Sequence, residues 1–238
     1  MAEDDYTVET LAAFLHLDPA KVTKLASRGM LPGRKVGGQW RFSAAEIHHW
    51  LEERIGASDA NELEEMEEVL ERGHHEPESL HQESLAEMLP IAAIALPLPS
   101  RTKSSVIAAM VDTASQTGWL WDPPRMIEAI RGREELHPTA LDTGVALLHP
   151  RRPLPSILGQ AFVALGVTQN GIPFGGGHGM LTDIFFLICS TDDRGHLRTL
   201  ARLSRVINDS QFLADLRACE DPTAACQLIR EREAALVG

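Results

Sequence analysis

A histidine at the end of an apolar run, with two arginines just beyond it, can meet an anion. His149 follows Gly144-Val145-Ala146-Leu147-Leu148 and precedes Pro150-Arg151-Arg152. A neutral imidazole nitrogen is a competent nucleophile near neutral pH. The position, where a strand ends and the chain is expected to surface, suits acceptance of a charged group. A second cluster lies near the N-terminus. From Lys21 to Arg41 the chain carries six basic residues (Lys21, Lys24, Arg28, Arg34, Lys35, Arg41) and no acidic one. Such a run is electrostatically costly unless a partner neutralises it, which points to a phosphate backbone. Other chemistries fall away. No GxSxG, HExxH, GxGxxG or P-loop pattern occurs. The glycine-rich run GIPFGGGHG at 171–179 lacks the Lys-Ser/Thr of a nucleotide cradle and opens no helix. It reads as a flexible loop with His178 exposed. Cys189, Cys219 and Cys226 form no CxxC pair and cannot pair off evenly, so neither a disulfide framework nor a structural zinc site is expected. His74, His75 and His81 lack ordered ligand spacing. No metal and no cofactor is expected.

The elements that must hold these residues divide the chain. Its 238 residues suit one large domain or two modest ones. The net charge of −12 is unevenly spread. Residues 1–56 and 90–238 each carry net −1, whereas residues 57–89 carry −10. The acidity therefore sits in the middle, and a basic face at the N-terminal end can still meet nucleic acid. The expected domains are 1–56, an acidic linker with a short helix at 57–84, and 85–238. In the linker, Asn61 can cap a helix and Gly73 can end it. Leu63, Met66 and Leu70 form a short apolar stripe, which allows a homodimer but reads better as a solvated linker helix. HHEPESLHQES after Gly73 reads as a loop. No run of 18 apolar residues suggests a membrane span, and the acidic start MAEDD does not resemble a signal peptide. A cytoplasmic protein is expected.

In the first block, a helix from Thr7 through Leu15 is followed by Asp18 as N-cap, Pro19 at the first helical position and Gly29 as stop. Two extended runs, 34–36 and 39–42, flank Gly37-Gly38, a hairpin signal because such turns need positive φ. Ser43 and Glu46 form a capping box before Ile47, Trp50 and Leu51. The order is helix, turn, helix, β wing, helix. Trp40 and Phe42 lie two apart on one strand face and read as core. In the last block, PIAAIALPLP suits a strand or a buried lead-in. Ser100 caps a helix over 101–117, and Asp122-Pro123-Pro124 opens another to about Glu134. Extended runs follow at 144–148, 159–165 and 182–190, the last apolar enough for burial on both faces. Helices over about 195–207 and 211–217, and one from Asp221-Pro222, close the chain. Helices on both sides of a small sheet make an α/β or α+β sandwich.

The first block resembles the excisionase-type, MerR-like winged helix-turn-helix family. The resemblance rests on Gly29, Leu31, Pro32, Lys35, Val36, Gly37, Trp40, Arg41 and Phe42 ahead of a helix. It implies a mostly α domain with a small β wing. The second helix would lie in the major groove of duplex DNA with Lys21, Thr23, Lys24 and Arg28 available. The wing would bring Arg34, Lys35 and Arg41 to backbone phosphates.

Residues 85–235 resemble the enzyme IIA domains of the phosphotransferase system, of the fructose/mannitol and nitrogen-regulatory type. Arg133-Glu134 matches the family's R-E pair, and Gly144-Val145-Ala146-Leu147-Leu148-His149 matches its Gly-(Ile/Val)-Ala-x-Pro-His motif. FFLICSTDDRGHLRTLARLSRVI supplies the strand and the helix that opens with a histidine, His196. The resemblance implies an α/β sandwich in which a histidine phosphocarrier protein phosphorylates His149. His196 would contribute a donor and Arg133 a guanidinium fork. Leu148 stands where the family has proline, and Pro150 where it usually has glycine, which removes a backbone N–H. Arg151 and Arg152 bring charge to the same place. The expected function is that of a transcriptional regulator whose phosphorylatable domain is coupled to a DNA-binding head. A phosphocarrier for sugar uptake and a non-phosphorylated interaction or sensor domain are the alternatives.

Overall fold

The computed structural model describes residues 5–51, apart from 16, 45 and 48, and residues 84–237. The expected linker helix, its Leu63/Met66/Leu70 stripe and His74, His75 and His81 lie outside the described residues. The chain separates into two units, residues 1–80 and 81–238.

In the first unit, β1 (Asp5–Tyr6) leads into α1 (Val8–Leu15) and α2 (Pro19–Ser27). Asp18 caps α2 by accepting from the Ala20 amide at 2.7 Å. Gly29, at φ 69°, ends the turn after α2. The wing is β2 (Arg34–Val36) and β3 (Gln39–Ser43), antiparallel with Val36 opposite Gln39. Gly37 and Gly38 between them have φ of 59° and 81°, the pair of positive values a two-residue hairpin turn of this hand requires. The sequence does not announce β1, which pairs with β3 to give the order β1-β3-β2. Residues 44, 46–47 and 49–51 are helical. Leu11, Leu15, Val22, Leu31, Phe42 and Ile47 are buried and close the core. Trp40 is only half-buried, stacked on Phe42 with ring centroids 6.1 Å apart.

The second unit opens with α3 (Leu85–Met88), a single turn directly after the stretch expected to be linker and loop. Ser84 and Glu87 form a capping box on it. Glu233, far along the chain, also accepts from the Leu85 and Ala86 amides at 2.8 and 3.4 Å, with Arg202 at 3.6 Å from its carboxylate. The apolar run that follows yields a 3₁₀ turn and only two residues of strand, β4 (Ile94–Ala95). Next come α4 (Lys103–Ser115), α5 (Pro123–Leu136) and β5 (Val145–Leu148). The cap of α4 is Thr102 rather than Ser100: its hydroxyl and that of Ser105 satisfy each other's backbone amides. β6 (Phe162–Pro173) is longer than the extended run in the sequence, because the polar residues 168–171 continue the strand past its buried half. β7 (Leu181–Cys189), α6 (Asp193–Ile207), α7 (Ser210–Ala218) and α8 (Pro222–Val237) complete the domain.

The sheet order is β4-β6-β7-β5, with β6 antiparallel to β7 and the outer strands parallel to their neighbours. The face presented alternates by strand period. Ala146, Leu148, Phe162, Phe185 and Leu187 join Val106, Met110, Met126 and Ile130 of α4 and α5 in one core. The intervening Val145, Leu147, Ile184, Phe186 and Ile188 are buried as well. α6, with Leu197, Leu200 and Ala201 buried, packs against β7. A sheet covered on both faces explains why β5 and β7 read as continuous apolar runs.

Candidate functional site

β5 lies at the edge of the sheet, but that edge is not bare. Ala140 bridges Ala146, the Leu141 amide donates to the Val145 carbonyl at 2.8 Å, and the Leu147 amide to the Thr139 carbonyl at 3.3 Å. Pro150 ends the ladder because it has no N–H. The chain surfaces at Arg151 and Arg152, both exposed. His149 itself does not surface, contrary to its expected place: it is 3% exposed. Its ring turns back along the strand, and Nδ1 lies 2.8 Å from the Leu147 carbonyl. A carbonyl can only accept, so Nδ1 carries the hydrogen and the neutral ring has its lone pair on Nε2.

Parallel pairing of β5 with β7, Leu148 opposite Leu187, brings the carboxyl ends of both strands to one place. Ser190 follows β7. Asp192 then caps α6 by accepting from the Gly195 amide at 2.7 Å, which sets His196 in the first turn. His196 is 1% exposed, and its ring centroid lies 5.0 Å from that of His149, tilted by 56°. Nδ1 of His196 is 3.2 Å from the Ser190 hydroxyl. The loop beyond His149 is held to the same strand end, since the Leu154 amide donates to the Ser190 carbonyl at 3.3 Å. The fold therefore brings together two histidines 47 positions apart, as the family resemblance implied.

Arg133, in the last turn of α5, is buried, and its Nη1 donates to the His137 carbonyl at 2.8 Å. It thus fixes the exit of α5 into the 139–141 segment that covers β5. Its neighbour Glu134 carries more than the R-E motif announces. The buried carboxylate accepts from the Thr139 amide and hydroxyl and pairs with Lys103 Nζ at 2.8 Å. Lys103 also donates to the Phe174 carbonyl at 3.2 Å and sits 4.8 Å above the Phe174 ring. That ring is buried against Phe185, centroids 5.2 Å apart. The glycine-rich run is therefore anchored by its phenylalanine: residues 171–173 belong to β6 and 177–179 form a 3₁₀ turn. No local signal in the sequence marks Lys103, and Ser190, although it lies in the matched run FFLICST, is given no role there. Burial pushes the Cys189 thiol far up, so this cysteine beside the site stays protonated and is no rival nucleophile. Among the described residues, no three His, Cys, Asp or Glu side chains converge as a metal site would.

In the first unit, Lys21, Thr23, Lys24 and Arg28 are all exposed along α2. On the wing, Arg34 faces Arg41 across the hairpin, a like-charge pair that alone would destabilise it. Arg34 is paired with Asp5 at 2.8 Å. Half-buried Arg41 donates to the Trp40 carbonyl at 3.1 Å and to Gln39 Oε1 at 3.2 Å. Lys35 lies 5.3 Å over the Trp40 ring.

Comparison with known proteins agrees with this architecture. Residues 6–55 match the model of a helix-turn-helix domain. A nitrogen regulatory protein of Bradyrhizobium diazoefficiens is 29% identical over 143 residues, 57% of this chain and 92% of that protein. Among solved structures, nitrogen regulatory protein IIA-Ntr from Neisseria meningitidis superposes with a TM-score of 0.55 at 20% identity, over 61% of this chain and 98% of that one. IIA mannitol from Escherichia coli does so with 0.52 at 18%, over 59% and 97%. Among the described residues, no helix is long and apolar enough to cross a membrane. Residues 87–232 match the model of the phosphoenolpyruvate-dependent sugar phosphotransferase system EIIA 2 family, and with that match over more than half its length the chain belongs to that family, with a helix-turn-helix domain ahead of it.

Proposed function

We propose that the protein is a regulator in which His149 accepts a phosphoryl group from a histidine phosphocarrier and the helix-turn-helix head binds duplex DNA. The observation that carries the reading is the Nδ1 contact of His149 with the Leu147 carbonyl, beside the His196 ring. With Nδ1–H held there, Nε2 attacks the phosphorus of the donor's phosphohistidine. The new Nε2–P bond forms as the donor's N–P bond breaks, and that electron pair returns to the donor imidazole. The product ring bears positive charge, and the Leu147 carbonyl stabilises it through the same hydrogen bond. Charge on the phosphoryl oxygens is met by His196, by Arg133 and by the exposed Arg151 and Arg152. The absent N–H at Pro150 leaves that work to side chains. The depth of His149, 3% exposed, favours a second reading, an interaction domain that works without phosphate. Incubation with labelled phosphocarrier separates the two: label on the wild type supports the first, and its absence with a competent donor supports the second. Transfer from His149 onward to another protein, without effect on DNA binding, would indicate a phosphocarrier of sugar uptake.

The head supplies its own test. The exposed cations of α2 are expected to neutralise phosphates, with Lys35 and, after exchange of its Asp5 partner, Arg34 joining from the wing. Lys24→Glu with Arg28→Glu will weaken binding to duplex DNA at low salt. The dependence of log affinity on log salt will flatten by about 0.9 for each phosphate no longer neutralised. Binding that does not change with salt would count against this interface.

A further inference from the structure

We propose that Asp5 is a specificity-determining residue of the DNA interface: its carboxylate occupies on Arg34 the place that a backbone phosphate takes, so the wing adds little until α2 has already seated the duplex. The proposal rests on the DNA-binding reading of the head and deepens it.

Strand register sets the geometry. Asp5 stands opposite Ser43, and Arg34 opposite Arg41. Directly opposed residues share a face of a sheet, and so do residues two apart on one strand. Asp5, Ser43, Arg41 and Arg34 therefore lie on one face of the three-stranded sheet. Tyr6, Phe42, Trp40 and Lys35 lie on the other, where Phe42 is fully enclosed. The face with the two arginines is the one turned away from the core. Across it, over β3, Asp5 Oδ2 reaches Arg34 Nη2 at 2.8 Å and joins the two outer strands. The arginine side chain is 63% exposed, so a phosphate can reach it while the aspartate is still in place.

The cations of α2 are placed differently. Among the described residues, no carboxylate pairs with Lys21, Lys24 or Arg28. They meet DNA without a competing anion, whereas Arg34 must give up one anion to accept another. A carboxylate and a phosphate offer a guanidinium the same pair of acceptor oxygens. The exchange is therefore close to balanced, and it leaves the vacated carboxylate beside a phosphate. Ion release makes the difference measurable. A cation that neutralises one phosphate frees about 0.9 counterion from duplex DNA. When Arg34 leaves Asp5, the carboxylate draws a cation back, so this contact adds almost nothing to the salt dependence. Without the carboxylate it adds its full share.

The test is binding of the full chain to a labelled random-sequence duplex between about 50 and 200 mM salt. Asp5→Asn keeps the side-chain shape and removes the charge. It is expected to tighten binding by roughly 2- to 5-fold at the low-salt end, which is what one exposed ion pair contributes. It is also expected to steepen the slope of log affinity against log salt by up to about 0.9. Arg34→Gln is expected to leave the slope of the otherwise wild-type chain unchanged and to cancel the steepening in Asp5→Asn. An Asp5→Asn chain that binds no tighter than wild type, or with no steeper slope, overturns the proposal. Equal loss of slope on Arg34→Gln in both backgrounds also overturns it, because the aspartate then acts only through net charge. Should Asp5→Asn fail to fold, Asp5→Ser carries the same two expectations. Failure of the wild type and of every variant to bind duplex at low salt refutes the DNA-binding reading itself, and the role of Asp5 falls with it.

Discussion

His149→Ala will take up no acid-labile label from a phosphorylated histidine phosphocarrier, while the wild type does. The loss is complete because the step forms a covalent bond to Nε2 of His149 itself. Burial keeps Cys189 a thiol, so it does not take over the role. Circular dichroism of the variant should match the wild type. The supporting groups behave differently, because they stabilise charge without bonding to phosphorus. His196→Ala is expected to slow transfer by at most about 10²- to 10³-fold, the effect of losing one oriented donor. Arg133→Ala falls within the same bound. It also frees the His137 carbonyl, so its stability must be read beside its rate. Arg133→Lys recovers only part, because an ammonium does not reproduce the guanidinium fork. Label that persists in His149→Ala would place the acceptor elsewhere.

The second large effect is on stability. Lys103→Ala is expected to cost about 3 kcal/mol, the lower end of what breaking a buried pair costs, because it strands the enclosed Glu134 carboxylate while the lysine end is one-third exposed. The Lys103→Met/Glu134→Gln pair should recover more than half of that loss, since it removes the charge rather than orphaning it. Hydrogen exchange of β7 amides under increasing urea follows the C-terminal domain separately from the head. If the single variant proves as stable as the wild type, the ion pair is incidental and Thr139 alone satisfies the carboxylate.

The elements bearing the candidate site were largely legible, because local chemistry fixes them. Asp18-Pro19, Asp122-Pro123 and the Gly37-Gly38 turn specify their own backbones, and doubly buried β7 is uniformly apolar. His149 stood out by its place after such a run. What failed to show was tertiary. The depth of His149 depends on a ring that turns back to its own strand. The length of β6 depends on pairing with β7 that resumes at Ile172 and Pro173 after an irregularity over 168–171, which nothing local announces. Lys103 reaches Glu134 across a gap that periodicity does not describe. The glycine-rich run looked free because glycines dominate it, yet Phe174 secures it in the core.

The carboxylate of Glu233 on the first amides of α3 also gives the second domain a mechanical character. Whatever tugs on the backbone ahead of Ser84 meets α3 first, and α3 is fastened by its leading amides to the final helix. Tension from that side therefore runs into α8 and, through Arg202, into α6, the helix whose opening turn carries His196. α6 packs against β7, so the strand that holds β5 in register is the next element in line.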